Sequence, residues 1–246
     1  VYNFSYDDED GEIVTLGQSE LTQFPFGDKL VAIGNYAFEN SELDNVRLPE
    51  TCQSIGIGAF RNCKNLSTIK FSSTKPVKAG AHAFEGCESL TYLELNSQVI
   101  SANACSDMTS LETVYLGANV EVINKLAFAG CTSLTNFEID KNNKTFKVDE
   151  NNSSLIYSNL GESESSGRIL VLVAPGYNER VLALDSVYEE IAPGAFSATE
   201  TNKGNIKQLI ASGVTRIGEY AFAESNIAQY TFGTLTEIGE YAFAGS

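Results

Sequence analysis

The stretch Ile55-Gly-Ile-Gly-Ala-Phe60-Arg-Asn-Cys63-Lys-Asn-Leu66-Ser-Thr-Ile69-Lys-Phe71 decides the fold, because it recurs. Its Ala-Phe pair returns at 37–38, 83–84, 127–128, 195–196, 221–222 and 242–243, and Ala104-Cys105 fills the one obvious gap. The second residues of these pairs lie 22, 24, 21, 23, 68, 26 and 21 positions apart. The 68 is close to three times 23, so one stretch is degenerate or differently built. The flanking apolar positions keep fixed offsets. Five residues before the anchor stand Ile33, Ile55, Ala79, Ile100, Ile123, Ile191, Ile217 and Ile238. Three after it come Cys63, Cys87, Met108 and Cys131, and three further Leu66, Leu90, Leu111 and Leu134. A Leu-x-x-Φ-x-Φ pattern closes the unit, as in Leu66/Ile69/Phe71, Leu90/Leu93/Leu95, Leu111/Val114/Leu116 and Leu134/Phe137/Ile139. The same ending at Leu21/Phe24/Phe26 marks a half-unit near the N-terminus.

Two periods coexist in one unit. Φ-x-Φ has a period of two, which reads as a short strand with one buried face. Ala-Phe-x-x-Cys-x-x-Leu advances in threes, which reads as one helical or 3₁₀ turn. A coil of this size cannot bury its apolar face alone, but stacked coils bury a continuous ladder. At about 4.8 Å per strand, some ten coils would give a rod of roughly 45–50 Å.

The unit I-G-x-x-A-F-x-x-C-x-x-L-x-x-Φ-x-Φ resembles the Treponema-type leucine-rich repeat of the BspA-like family. Asn62-Cys63-Lys-Asn-Leu66, Gly86-Cys87-Glu-Ser-Leu90 and Gly130-Cys131-Thr-Ser-Leu134 carry the likeness, which covers about residues 21–246. It implies an α/β fold: a right-handed leucine-rich-repeat solenoid with a β-strand and a short helical turn in each coil. It also implies a secreted or surface-attached bacterial protein, since family members are implicated in adhesion to matrix proteins and other cells.

The long gap also looks like a family feature, because similar members often insert a hairpin between repeats. Here Leu155-Ile-Tyr157 and Ile169-Leu-Val-Leu-Val-Ala174 flank the polar segment Ser158–Arg168, which predicts a β-hairpin with a long exposed tip. The expected organisation is a single domain over 1–246: an N-terminal capping coil at 1–20 and repeats at 21–139. A degenerate segment with the hairpin follows at 140–185, then repeats at 186–246. The last unit stops before its final strand, and an uncapped end there is expected to self-associate.

Composition narrows the function. The chain has 246 residues and a net charge of −16, from 32 Asp+Glu against 16 Lys+Arg. That balance argues against nucleic acid and anionic membrane as partners. The longest apolar run, Ile169–Ala174, is strand-sized and far short of a membrane span. The chain opens on Val1, and the expectation is that an upstream segment has been removed; a cleaved signal peptide fits. A single histidine removes multi-His zinc sites and paired-His acid–base schemes. The five cysteines show no C-x-x-C pair and read as core fillers. No cofactor, metal site or catalytic constellation is expected.

Three candidates receive bland readings. His82 occupies a slot held elsewhere by Tyr36, Gly58, Leu126, Gly194, Tyr220 and Tyr241, so it reads as a half-exposed filler. The run Asp7-Asp-Glu-Asp-Gly-Glu12 lacks the alternating ligand register of an EF-hand and reads as a solvated turn between two strands. Glu94 and Glu138 sit two coils apart on one strand column with Tyr115 between them. Their expected separation suits an inverting carboxylate pair, but nothing supplies a pocket.

The strand face is the stronger candidate. Side chains alternate along a strand, so two positions per coil point away from the core. The first column reads Asn45, Thr68, Tyr92, Thr113 and Asn136, continuing at Gln208 and Gln229. The second reads Arg47, Lys70, Glu94, Tyr115 and Glu138, continuing at Ile210 and Thr231. Outward tyrosines present apolar area with a polar tip, which suits protein or glycan contacts. The favoured reading is a non-enzymatic, adhesin-like module that binds protein or glycan ligands through this face. The alternatives are a structural spacer in a larger surface protein and, less favoured, a glycan-processing enzyme.

Overall fold

The computed structural model describes residues 4–7, 13–16, 21–71, 75–161, 167–196 and 204–246. The chain winds as a β-solenoid of about eight turns, not ten. Each turn contributes one face strand: Asn45–Leu48, Thr68–Phe71, Tyr92–Leu95, Thr113–Leu116, Asn136–Ile139, Val181–Ala183, Gln208–Ala211 and Gln229–Phe232. Between the anchors Phe128 and Phe196 only two of these form, Asn136–Ile139 and Val181–Ala183, because the hairpin takes up the chain between them. The face strands that pair are parallel and in register, so residues at one repeat position form a column. A second line of short strands runs through the Ile33-type positions, again parallel and in register.

The α/β expectation fails at the turns. Among the described residues there is no α-helix or 3₁₀ helix. The steps of three are real, since Cys63 N–H donates to the Phe60 carbonyl and Leu66 N–H to that of Cys63, both at 3.1 Å. Left-handed residues interrupt them. The position before Ala-Phe has positive φ in Tyr36, Gly58, His82, Asn103, Leu126, Gly194, Tyr220 and Tyr241. So does the position two after Phe, in Asn40, Asn62, Gly86, Gly130, Glu224 and Gly245. A right-handed helix needs φ near −63° throughout, so two such residues per turn preclude it. Alternate amides turn outward to the next coil. Phe38 donates to Ala59, Phe60 to Ala83 and Phe84 to Ala104, at 2.8–2.9 Å.

The turns deliver their anchors into the core. Phe60, Phe84, Phe128 and Phe222 are fully buried. Phe38 stacks on Phe60 with centroids 5.4 Å apart, and Phe60 on Phe84 at 5.9 Å. Cys105 interrupts this ladder at a Phe position. All five cysteines are free and buried. Burial raises the Cys63 thiol to about 11 and the Cys131 thiol to about 12, so both stay protonated as small hydrophobes.

The expected hairpin is present as Asn152–Asn159 paired antiparallel with Arg168–Val173. Its tip residues 162–166 lie outside the described residues. The hairpin joins the second line of strands, where Arg168–Val173 runs parallel to Tyr188–Ile191. Its two faces serve two cores. Ile156, Leu172 and Ala174 pack into the cluster of the first coils, whereas Leu155, Tyr157, Leu170 and Val173 pack into the cluster of the last ones. It is a shared wall between two cores instead of an appendage to one line. At its base Arg168 forks onto Glu150 at 3.1 and 3.2 Å, reaches Asp149 at 3.3 Å, and lies over the Tyr157 ring at 4.1 Å. The Tyr188 hydroxyl donates to Asp149 at 2.6 Å. Near the N-terminus, Phe4–Asp7 pairs antiparallel with Ile13–Leu16, as the two strand-like pieces predict. Residues 8–12 of the acidic run lie outside the described residues.

Phe84→Ala should lower unfolding free energy by about 3–5 kcal/mol in chemical denaturation, because the stack closes poorly over the lost ring. Tyr92→Ala, on the exposed face, should stay within about 0.5 kcal/mol of wild type. Arg168→Ala should destabilise by about 3 kcal/mol, since it leaves the buried Asp149 carboxylate without its cation.

Candidate functional site

The outward columns form as the alternation dictates. Asn45, Arg47, Lys70, Tyr92, Glu94 and Glu138 are exposed, while Thr68, Thr113, Tyr115 and Asn136 are half-buried among them. The intervening Val46, Ile69, Leu93, Val114 and Phe137 are buried. Strand register puts Asn45 beside Thr68 and Arg47 beside Lys70. It also puts Tyr92, Thr113 and Asn136 in one row, and Glu94, Tyr115 and Glu138 in the other. After the hairpin the columns resume with Val181/Ala183, Gln208/Ile210 and Gln229/Thr231, in register. Val181 and Ala183 escaped the sequence reading; the alternation in Val181-Leu-Ala-Leu184 was the available signal, with Leu182 and Leu184 buried.

The tyrosines differ in setting. Tyr92 is 47% exposed, a large aromatic surface on a sheet held by backbone hydrogen bonds. Partial burial, then the charges of Glu94 and Glu138, hold its phenol above the ordinary value. Tyr115 donates its hydroxyl to Asp140 Oδ2 at 2.7 Å. That bond is the main reason its phenol is pushed up to about 12. Asp140, which sequence reasoning missed, is held below the ordinary 3.8 chiefly by the same bond and secondarily by the Asn142 amide. It follows directly on the strand Asn136–Ile139, and no repeat position marked it.

Other candidates sit elsewhere. His82 lies on the turn side, half-exposed in a left-handed conformation, with Nδ1 bonded to Glu85. Arg61 links Glu85 at 3.3 Å and Glu39 at 3.6 Å, so His82 joins an ion-pair ladder across successive coils. Glu94 and Glu138 occupy the expected register on either side of Tyr115, and both are exposed. Where the Ala-Phe turns are interrupted between Leu126 and Gly194, a notch of about 350 Å³ opens. At its rim the Lys125 ammonium lies 4.2 Å from the Tyr220 ring centroid, and Tyr220 stacks on Tyr241. Among the described residues no group of three or more His, Cys, Asp or Glu side chains is arranged to hold a metal ion.

Tyr115→Phe should raise the Asp140 pKa toward 3.8, read by carboxyl NMR titration. The depressed carboxyl contributes stability that is present above the ordinary value and lost as pH falls through the lowered one. The wild-type phenol should resist ionisation until about 12.

Residues 18–155 and 180–246 match, in six copies, the sequence profile of the BspA type leucine rich repeat region. The unmatched residues between them contain the second half of the hairpin. No curated protein sequence matches significantly. Among solved structures, the pneumococcal vaccine antigen PcpA is 20% identical with a TM-score of 0.55, over 98% of this chain and 62% of that one. A leucine-rich repeat protein from Eubacterium ventriosum is 18% identical with a TM-score of 0.50, over 83% of this chain and 58% of that one. A leucine rich cell surface protein from Faecalibacterium prausnitzii is 18% identical with a TM-score of 0.49, over 99% of this chain and 78% of that one. At these identities the likeness is one of fold, and the chain spans under two thirds of the first two structures.

Proposed function

The chain belongs to the BspA-type leucine-rich repeat family, and from that premise we propose that it is a non-enzymatic binding module displayed at a bacterial cell surface. Its ligand, a protein or a glycan, lies along the strand face. The observation that carries this reading is the pair of in-register columns with Tyr92 and Tyr115 on adjacent coils of a parallel sheet. Aromatic side chains lose little rotamer entropy on contact, and a rigid sheet fixes their spacing in advance. The description of a related fold as a vaccine antigen supports surface display. Glu94 and Glu138 lie exposed on an open sheet, whereas a glycosidase pair works inside a cleft that grips the sugar.

Cells displaying the chain should adhere to at least one member of a panel of matrix proteins and glycans. The double variant Tyr92→Ala/Tyr115→Ala should weaken that adhesion at least about tenfold, the loss expected of two contact aromatics. Adhesion indifferent to both substitutions, or no ligand across the panel, refutes the reading.

A further inference from the structure

We infer that the Tyr92–Tyr115 end of the strand face is a receptor for an arginine side chain carried by a partner protein; this rests on the strand-face reading just proposed. Glu94, Tyr115 and Glu138 are direct neighbours on three consecutive strands. Their backbones lie about 4.8 Å apart, so the two glutamates hold the outward positions on either side of Tyr115. Asp140 adds a third carboxylate, held by the Tyr115 hydroxyl at 2.7 Å. Tyr92 stands diagonally opposite on the adjoining column. The negative field of Glu94 and Glu138 is felt at the Tyr92 phenol, which they help to hold above its ordinary value.

The same chemistry is completed internally at another place in the molecule. At the hairpin base the Tyr157 hydroxyl donates to Glu150 at 3.1 Å. The Arg168 guanidinium lies over that ring at 4.1 Å and forks onto the same carboxylate. A ring, a carboxylate bound to its hydroxyl and a guanidinium over the face make one closed unit. Tyr115 and Asp140 repeat the first two parts. Among the described residues the cation–ring contacts fall on Tyr157, Tyr188 and Tyr220, and none on Tyr92 or Tyr115. Among the described residues, ion pairs form at Arg61, Lys64, His82, Arg168 and Arg216, away from Glu94 and Glu138. The nearby cations are all exposed: Lys70 one coil away, Lys75 lining the same small cleft as Glu94, and Lys141 beside Asp140. Arg47 and Lys70 make the opposite end of the column positive, so the face is polarised along its length. Charge complementarity therefore selects a segment that sets its arginine on the tyrosine end and its acidic side chains toward Arg47.

The test uses the whole chain and a capped Gly-Ser-Arg-Gly-Ser-Arg-Gly peptide, with the isosteric citrulline peptide as the neutral probe, in about 0.15 M salt. Calorimetry should show the arginine peptide binding about tenfold more tightly than its citrulline analogue, the scale of one cation–ring and charge-assisted contact. Glu94→Gln/Glu138→Gln should remove that preference. Glu42→Gln/Glu179→Gln, which takes the same charge from exposed positions off the site, should preserve it. Equal binding of both peptides, or equal loss in both double variants, overturns the inference. A panel ligand that still needs Tyr92 and Tyr115 but ignores the carboxylates, as a neutral glycan would, also overturns it while the strand-face reading survives. Loss of both dependences sinks the two together.

Discussion

Where one Ala-Phe coil stacks directly on another, it hands alternate backbone amides to the carbonyls of the next, and the rest of the molecule follows from that. Tyr36, Phe38 and Asn40 donate to Ile57, Ala59 and Arg61, and Gly58, Phe60 and Asn62 repeat the move one coil on. A buried amide without a partner is costly, so the spacing of coils along the axis is fixed by these bonds. The left-handed residues are what aim the amides outward. Asn, Asp and Gly adopt that conformation most readily; Tyr36, His82, Leu126, Tyr220 and Tyr241 hold it against their own preference, which the stacked contacts over-determine.

With spacing fixed, like residues meet like residues. Phe38, Phe60 and Phe84 stack nearly parallel, and the face strands fall into register. The outward columns are therefore a consequence of the turns. A one-residue slip in register would carry Tyr92 and Glu94 to the core face and Leu93 to solvent. Surface chemistry and core packing are tied to the same hydrogen bonds. That is why a binding face built on this scaffold has its side-chain spacing set before any ligand arrives.

The hairpin changes the logic locally. Within the long gap a hairpin of two long strands serves a core on each side, and the polar cluster of Asp149, Glu150, Arg168 and Tyr188 fastens the base. The family profile skips the second half of the hairpin because its residues obey strand alternation between two cores, with no turn anchor to align. The interruption also opens the notch beside Lys125, and Val181 and Ala183 carry the face across to Gln208 and Ile210.

The sequence alone determined the repeat, the core positions, the hairpin and the two outward columns, because each depends on periodicity, and periodicity is local. It misread the turns. Steps of three are shared by a 3₁₀ helix and by separate three-residue turns, and only the backbone direction between them tells the two apart. The Asn40, Asn62, Gly86, Asp107 and Gly130 column held the clue, since those residue types favour the left-handed region. Tertiary structure decided what periodicity cannot carry. The pairing of Tyr115 with Asp140 joins residues 25 apart, that of Tyr188 with Asp149 joins residues 39 apart, and the division into two cores depends on which side of the hairpin each coil falls. Such contacts exist only once the coils have stacked, because stacking is what brings distant side chains within hydrogen-bonding reach.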